Sequence, residues 1–341
     1  MMKFINKNKH ETISVCIPTY NSSDTIVGTL KSVLNQSLKD FDLIVVDDAS
    51  KDDTINKIKN IKDARIRIFH NKKNIGCGKN LQKCKDKARG DIVVFLAGDD
   101  LFDRLALEKI LNAFEVSKDV GVVIRPYFWF IGNNLSPVRV TRQFKKNTIV
   151  NIKSDFNKII DVISLSDQMS GVSFRKKYLN FPFDNQPFVE MSSAVMKIIK
   201  DHKAIILKDN ILGVRIGNNG SMNPNVYRNS PMNVWKDTLY SVFYENKHQK
   251  LKEYILKNFI AINYVGLIQI KNYGTLPQLL REINYLIKFR WINVFNYKFL
   301  FYVFVSLVTP KNILIKLVDV YKKKINSKII NKINFDPGFE I

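Results

Sequence analysis

Four short apolar runs, separated by helix-patterned segments, fill the first hundred residues and leave few folds open. They are residues 14–18 (SVCIP), 41–46 (FDLIVV), 66–69 (IRIF) and 92–96 (IVVFL). Short, mostly apolar runs bounded by polar residues read as strands, and continuous ones as strands buried on both faces. Residues 24–33, 54–61 and 79–88 between them carry the spacing of helices. The alternation βαβαβαβ predicts a parallel sheet with crossover helices. In such a sheet every strand's C-terminal end lies on one edge, so Tyr20, Asp47, Asp48, Gly76, Asp99 and Asp100 are expected to converge there.

The last run, DIVVFLAGDD at residues 91–100, empties into two adjacent carboxylates. Neighbouring carboxylates repel, and a cation beside them relieves the repulsion. Asp is also a good helix N-cap, and LFDRLALEKIL follows, so on this stretch alone both readings stand. The other loops favour the cation. Acids alone make a poor phosphate site, whereas acids with Mg2+ or Mn2+ bridge well to a diphosphate. Tyr20 offers a stacking face for a base, and Asp47 or Asp48 can accept from a base or ribose donor. No GxxxxGK[ST] occurs and no GxGxxG follows the first strand, which excludes a P-loop and argues against a dinucleotide site.

Charge and cysteine usage bound the partners. Lys and Arg number 54 against 31 acids, a net +23, which permits nucleic acid, an anionic membrane or an anionic nucleotide. Lys, Asn and Ile are abundant everywhere, so part of this excess is compositional. No RNA- or DNA-binding signature is present, and nucleic acid is not an expected partner. Cys16, Cys77 and Cys84 form no CxxC and suit a reducing cytosol. His10, His70, His202 and His248 are not at metal-ligand spacing, so no zinc site is expected. MMKFINKNKHET lacks an apolar signal core, and the expected location is cytoplasmic.

Taken together, SVCIPTYN, IVVDDASKDDT, NIGCGKN, RGDIVVFLAGDD and FRKKYL resemble a family 2 glycosyltransferase over roughly residues 13–220. The resemblance implies a GT-A fold: α/β, with a mostly parallel central sheet flanked by helices and a Rossmann-like nucleotide-binding half. It also implies inverting sugar transfer from a nucleotide-diphospho-sugar, with a UDP-sugar the leading candidate, and a bound divalent cation, Mg2+ or Mn2+. Pro18, Thr19 and Tyr20 match the first nucleotide-contacting loop, and Asp47 and Asp48 the acidic pair of which one bonds the base. Asn74 and Gly76 match the glycine loop, with Lys79 and Asn80 beginning its helix. Asp99 matches the metal-binding acid and Asp100 the acid beside it. Ala97 stands where family members often carry an Asp. Arg215 matches an arginine that closes over the diphosphate, although a surface salt bridge explains it equally well.

The general base is implied in the stretch NFPFDNQPFVEMSSAVMKII, where Glu190 is the best match and Asp184 the competitor. The bland reading of Glu190 is a first-turn acid favoured by the helix dipole. Residues 120–130 read as one aromatic strand, with Arg125 held in a structural ion pair. Residues 136–150 read as a hairpin over the site, and Asp167 as structural. Ser170-Gly171 lies in the region that faces the acceptor.

The expected organisation is a disordered start at 1–12, a GT-A domain at 13–225 and a helical extension at 226–341. Residues 299–308 are apolar but only about half of a membrane span. Residues 311–332 contain many lysines, one acid (Asp319) and apolar residues at helical spacing, the pattern of a helix on an anionic leaflet or of one packed on its own domain. The acceptor is therefore expected to be a glycan or a lipid-linked glycan, with the chain peripheral on the inner face of the membrane. Two other functions compete. One is a non-catalytic sugar-nucleotide or membrane-binding relative. The other is a nucleotidyltransferase, which needs a basic glycine-rich loop that PTYNSSD does not supply.

Overall fold

The computed structural model describes residues 11–183, 186–217, 224–311, 313–314, 330 and 333–340. The chain opens with β1 (Ile13–Thr19), α1 (Ile26–Leu34), β2 (Phe41–Asp47), α2 (Thr54–Asn60), β3 (Ile66–His70), α3 (Cys77–Lys87) and β4 (Ile92–Phe95). This is the βαβαβαβ order expected from the apolar periodicity. It continues through β5 (Leu101–Phe102), α4 (Ala106–Glu115), β6 (Val120–Ile124), β7 (Phe128–Ile131), β8 (Asn134–Val140), β9 (Thr148–Val150) and α5 (Phe156–Leu165). Then come β10 (Val172–Arg175), α6 (Glu190–Ile199), β11 (Lys203–Ile206) and β12 (Leu212–Ile216). Helices α7 (Pro231–Val242), α8 (Gln249–Asn258), α9 (Val265–Tyr273), α10 (Leu276–Phe289) and α11 (Tyr297–Val308) follow.

Among the described residues the strands form two sheets. The larger has the order β3-β2-β1-β4-β10-β6-β11-β9. Its first four strands are parallel, and β10 runs antiparallel between β4 and β6. All residues of β1 and β4 are buried, because helices cover both faces and an apolar run has no solvent side. The smaller sheet has the order β5-β12-β7-β8, and its first strand follows directly on the acid pair Asp99-Asp100.

Residues 120–130 do not form one strand. β6 belongs to the large sheet and β7 to the small one, and the break falls at Arg125. The Arg125 side chain is fully buried and, among the described residues, makes no ion pair of the kind expected. Its donors go to the carbonyls of Phe95 (3.3 Å), Val172 (2.9 Å) and Ser170 (2.9 Å from Nε). Burial lowers its pKa to about 9, and a cage of carbonyl dipoles stands in for a counter-charge. The hairpin expected at 136–150 is also displaced. β8 turns back on β7 through Gly132, and β9 pairs with β11 in the other sheet.

The apolar core runs without interruption from the sheet into the helical extension, through Trp235, Leu239, Leu267, Leu279, Leu286 and Phe299. At the other end the chain returns to the smaller sheet and the start of α4. Phe335 packs edge-on against Phe128 (4.9 Å between centroids), and the amide of Arg104 donates to Asp336 O at 2.8 Å. Of the start expected to be disordered, residues 1–10 lie outside the described residues, as does most of 311–332. Thr12 is pinned, its amide donating to Asp91 at 3.2 Å.

Candidate active site

The four parallel strands deliver their C-terminal loops to one edge, and hydrogen bonds to backbone carbonyls join the loops. Asp48 N donates to Thr19 O (2.8 Å), Asn71 N to Asp47 O (2.9 Å) and Thr25 Oγ1 to Gly98 O (2.9 Å). Gly98 is a close approach: a Cβ there would lie 2.8 Å from Thr19 Oγ1. Pro18 and Thr19 are the last residues of β1 and are buried. Thr19 Oγ1 has no hydrogen-bond partner among the described residues, and Tyr20 beyond it is 43% exposed.

The acidic pair after β2 organises its own surroundings. The Asp47 carboxylate accepts from Ser50 N (3.0 Å) and from the Ser50 hydroxyl, and it meets His70 Nδ1 at 2.8 Å. These bonds hold a loop in which Ala49 has φ +61°, an uncommon region for a residue with a Cβ. Asp48 accepts from Asn71 Nδ2 (2.7 Å), Ile75 N (2.9 Å) and Gly76 N (3.0 Å). It is thus the socket for the glycine loop, in which Asn74 Oδ1 also accepts from Gly76 N at 3.1 Å. Gly76 has φ +85° and ψ 162°, a conformation essentially confined to glycine. Lys79, in the first turn of α3, is exposed, whereas Asn80 is buried and donates to Val46 O.

The second acidic pair is asymmetric. Asp100 is turned inward: Oδ2 accepts from Ser170 Oγ at 2.5 Å and Oδ1 from Arg215 N at 2.9 Å. The same Ser170 oxygen accepts from Ala97 N at 2.8 Å, so a single hydroxyl ties both ends of the turn. Burial, then the neighbouring charge of Asp99, pushes the Asp100 carboxyl well above its usual range. Asp99 is half-buried, and no other described side chain hydrogen-bonds its carboxylate. Burial raises its carboxyl as well, with Arg215 opposing. Arg215 is 7% exposed, so it does not form the surface salt bridge weighed from the sequence. Nε donates to Asp99 O (3.0 Å), NH1 to Gly132 O and to Asn133 Oδ1 (3.3 Å), and the guanidinium lies 4.6 Å from the Phe130 ring centroid.

Glu190 opens α6 and is half-buried. Asp184 lies outside the described residues. Glu190 lines a cavity of about 730 Å3 together with Cys77, Asp167, Tyr227, Trp235 and Glu282, so the cavity joins the glycine loop to the helical extension. Cys77 is exposed at the cavity mouth, yet desolvation by the surrounding protein, with the charges of Glu190 and Asp48, pushes its thiol up to about 12. Asp167 accepts from Tyr127 Oη at 2.8 Å, which suits the structural role expected of it, yet it is also exposed and lines the cavity. Surrounding protein raises its carboxyl nonetheless.

Sequence reasoning missed the clamp made by Ser170 on Asp100 and the contribution of 226–282 to this cavity. The Ser170-Gly171 pair was visible as small residues near the site. No local signal marks Glu282, which lies in an ordinary amphipathic helix.

A mostly parallel sheet with acids at the end of its central strand defines a nucleotide-binding α/β class. Residues 14–175 match the family described as Glycosyl transferase family 2. An uncharacterized glycosyltransferase of Methanocaldococcus jannaschii is 26% identical over 92% of this chain and 94% of its own. The UDP-Glc:alpha-D-GlcNAc-diphosphoundecaprenol beta-1,3-glucosyltransferase WfaP of Escherichia coli is 35% identical over 32% of this chain and 43% of its own. Matches to the first curated relatives span 35%, 41% and 43% of those proteins. Among solved structures, S. aureus TarS 1-349 in complex with UDP-GlcNAc superposes with a TM-score of 0.63 at 19% identity, covering 94% of this chain and 90% of that one. The mannosyltransferase PcManGT from Pyrobaculum calidifontis, in complex with GDP-Man and Mn2+, superposes at 0.54 with 17% identity, covering 88% and 87%.

Proposed function

We propose that this chain transfers a sugar from a nucleotide-diphospho-sugar, a UDP-sugar first, to a hydroxyl of a glycan or lipid-linked glycan, with inversion, in polysaccharide synthesis. The observation that carries the reading is the asymmetry of the acid pair. Asp100 is fully engaged by Ser170 and Arg215 N, while the Asp99 carboxylate accepts no hydrogen bond from another described side chain and burial raises its pKa. A carboxylate that burial makes reluctant to ionise is relieved by a cation. The donor set fits Mg2+ or Mn2+, which are commonly held by one or two carboxylates plus substrate phosphates. Asp99 would hold the ion with Asp100 beside it, and the chemistry a bound ion supplies there is neutralisation of the diphosphate. Relatives named for UDP-Glc transfer and neighbours holding UDP-GlcNAc, or GDP-Man with Mn2+, support the donor class.

The chain's own residues do the rest in this reading. Tyr20 stacks on the base, and Asp47 or Asp48 accepts from it. Asp48 also holds the glycine loop in shape, with Lys79 beside the loop. Arg215 fixes the Asp99-Asp100 turn and so positions the acids, a role its geometry supports better than a phosphate clamp. Glu190 accepts the proton of the acceptor hydroxyl as that oxygen bonds to C1 of the sugar and the C1–diphosphate bond breaks. The cavity beside Glu190 receives the acceptor. We read the chain as a GT-A domain at 13–225 carrying a helical extension, working in the cytoplasm, peripheral on the inner membrane face.

A thermal-shift series of nucleoside diphosphates and nucleotide sugars, with and without Mg2+ or Mn2+, tests this. A true donor raises Tm with concentration, and more with metal than without. If no nucleotide diphosphate or sugar nucleotide shifts Tm, the reading fails.

A further inference from the structure

Helix α11 is apolar on two opposite faces. Phe299 and Ser306 are buried, and the Phe299 ring packs 5.3 Å from Tyr264. On the other side Leu300, Phe301, Phe304 and Val308 are 49%, 60%, 64% and 62% exposed. Their spacing of one, three and four residues makes a continuous stripe. The turn before the helix extends it with Trp291 (68%) and Phe295 (75%). A helix on a water-facing surface carries polar residues on its outer face, and this one does not.

Its length narrows the choice of cover. Twelve residues rise about 18 Å, well short of the roughly 30 Å hydrocarbon core. No helix among the described residues is long and apolar enough to cross a membrane. The stripe must lie in an interface or against protein. Charge decides between these. Residues 283–318 contain no Asp or Glu, and Lys288, Lys298 and Lys311 are exposed around the stripe. Two copies meeting through this face would bring like charges together, which is costly, whereas an anionic lipid surface complements them. Exposed Trp and Tyr rings, here Trp291 and Tyr297, favour the headgroup level.

We propose that α11 and the turn before it dock this chain on an anionic bilayer, lying in the membrane plane with the outer stripe at the boundary of headgroups and acyl chains. This deepens the peripheral-membrane reading above and rests on it. It moves the docking face from the lysine-rich 311–332 segment to a helix whose inner face is fixed to the core.

The test uses the full chain with phosphatidylcholine vesicles and with mixed phosphatidylcholine–phosphatidylglycerol vesicles. The unsubstituted protein is expected to sediment with the mixed vesicles and to be released by salt. The double substitution Phe301→Asp, Phe304→Asp should weaken sedimentation about tenfold or more while Tm is unchanged, because both rings face outward. The triple substitution Lys322→Glu, Lys323→Glu, Lys324→Glu should leave part of the binding. Absence of wild-type sedimentation overturns the proposal. So does a double variant that binds like wild type, a triple variant that alone abolishes binding, or a wild-type dimer that the double variant converts to monomer without vesicle binding. Vesicle binding without any nucleotide-induced thermal shift would overturn the transferase reading and leave the docking face standing.

Discussion

Asp99 and Asp100 share a turn and have opposite environments, so their substitutions should separate. Asp99→Asn removes a carboxyl that burial already disfavours as a charge, and little folding stability should be lost with it. Transfer should fall at least about a hundredfold, and the metal-dependent part of the nucleotide thermal shift should vanish. Parallel rate and melting measurements check both halves, and a metal-dependent shift that survives would remove Asp99 from the ion's ligands. Glu190→Gln keeps the shape of the α6 N-terminus but cannot take a proton. Turnover should drop about 10²–10⁴-fold with donor affinity unchanged, and single-turnover kinetics with donor titration distinguish this from a structural loss. A near wild-type rate would return the role of base to Asp184 or Asp167.

At the level of elements, two loops are held by bonds across the sheet edge. Ser170 arrives from the turn before β10 and reaches both Asp100 and Ala97 N. Ser170→Ala leaves a buried carboxylate oxygen and an amide without that partner, a cost of about 1–3 kcal/mol readable in urea unfolding. The same substitution frees Asp100 and should lower transfer. Gly76→Ala forces a Cβ into φ +85° at the socket formed by Asp48. The strain of about 1–3 kcal/mol should appear as weakened nucleotide binding in calorimetry, since the loop can escape it by leaving Asp48. Unchanged affinity would detach the glycine loop from the donor site.

For the molecule as a whole, the C-terminal helices are tied to the large sheet by a shared core and by the buried acid Glu282 facing the cavity. Glu282 is 1% exposed and accepts from Met232 N at 3.0 Å. Burial raises its carboxyl above the ordinary 4.5. The native state therefore holds this proton more tightly than the unfolded chain. The resulting stability is fully present below about pH 4.5 and is lost as pH rises through the native value. Glu282→Gln removes that dependence, so its stability relative to wild type should grow as pH increases from the acid side. Denaturation midpoints of both proteins across pH measure the difference, and a constant offset would mean that Glu282 titrates normally.

The strands, their order along the chain and the polar residues that end them were legible because each is a property of a short window. An apolar run between polar residues is a buried strand wherever it occurs, and a parallel sheet sends all such ends to one edge. That reasoning determined the sheet and the convergence of Tyr20, Asp47, Asp48, Gly76 and Asp99; the family resemblance rested instead on the matching motifs in those loops. It did not reach the break at Arg125, because the carbonyls that stabilise the buried guanidinium come from residues 95, 170 and 172. It could not say which carboxylate of the second pair faces inward. That was decided by Ser170 and Arg215, which lie 70 and 115 residues away from Asp100 in the chain. A carboxylate's environment depends on whichever groups fold against it, and only the tertiary structure brings those groups together.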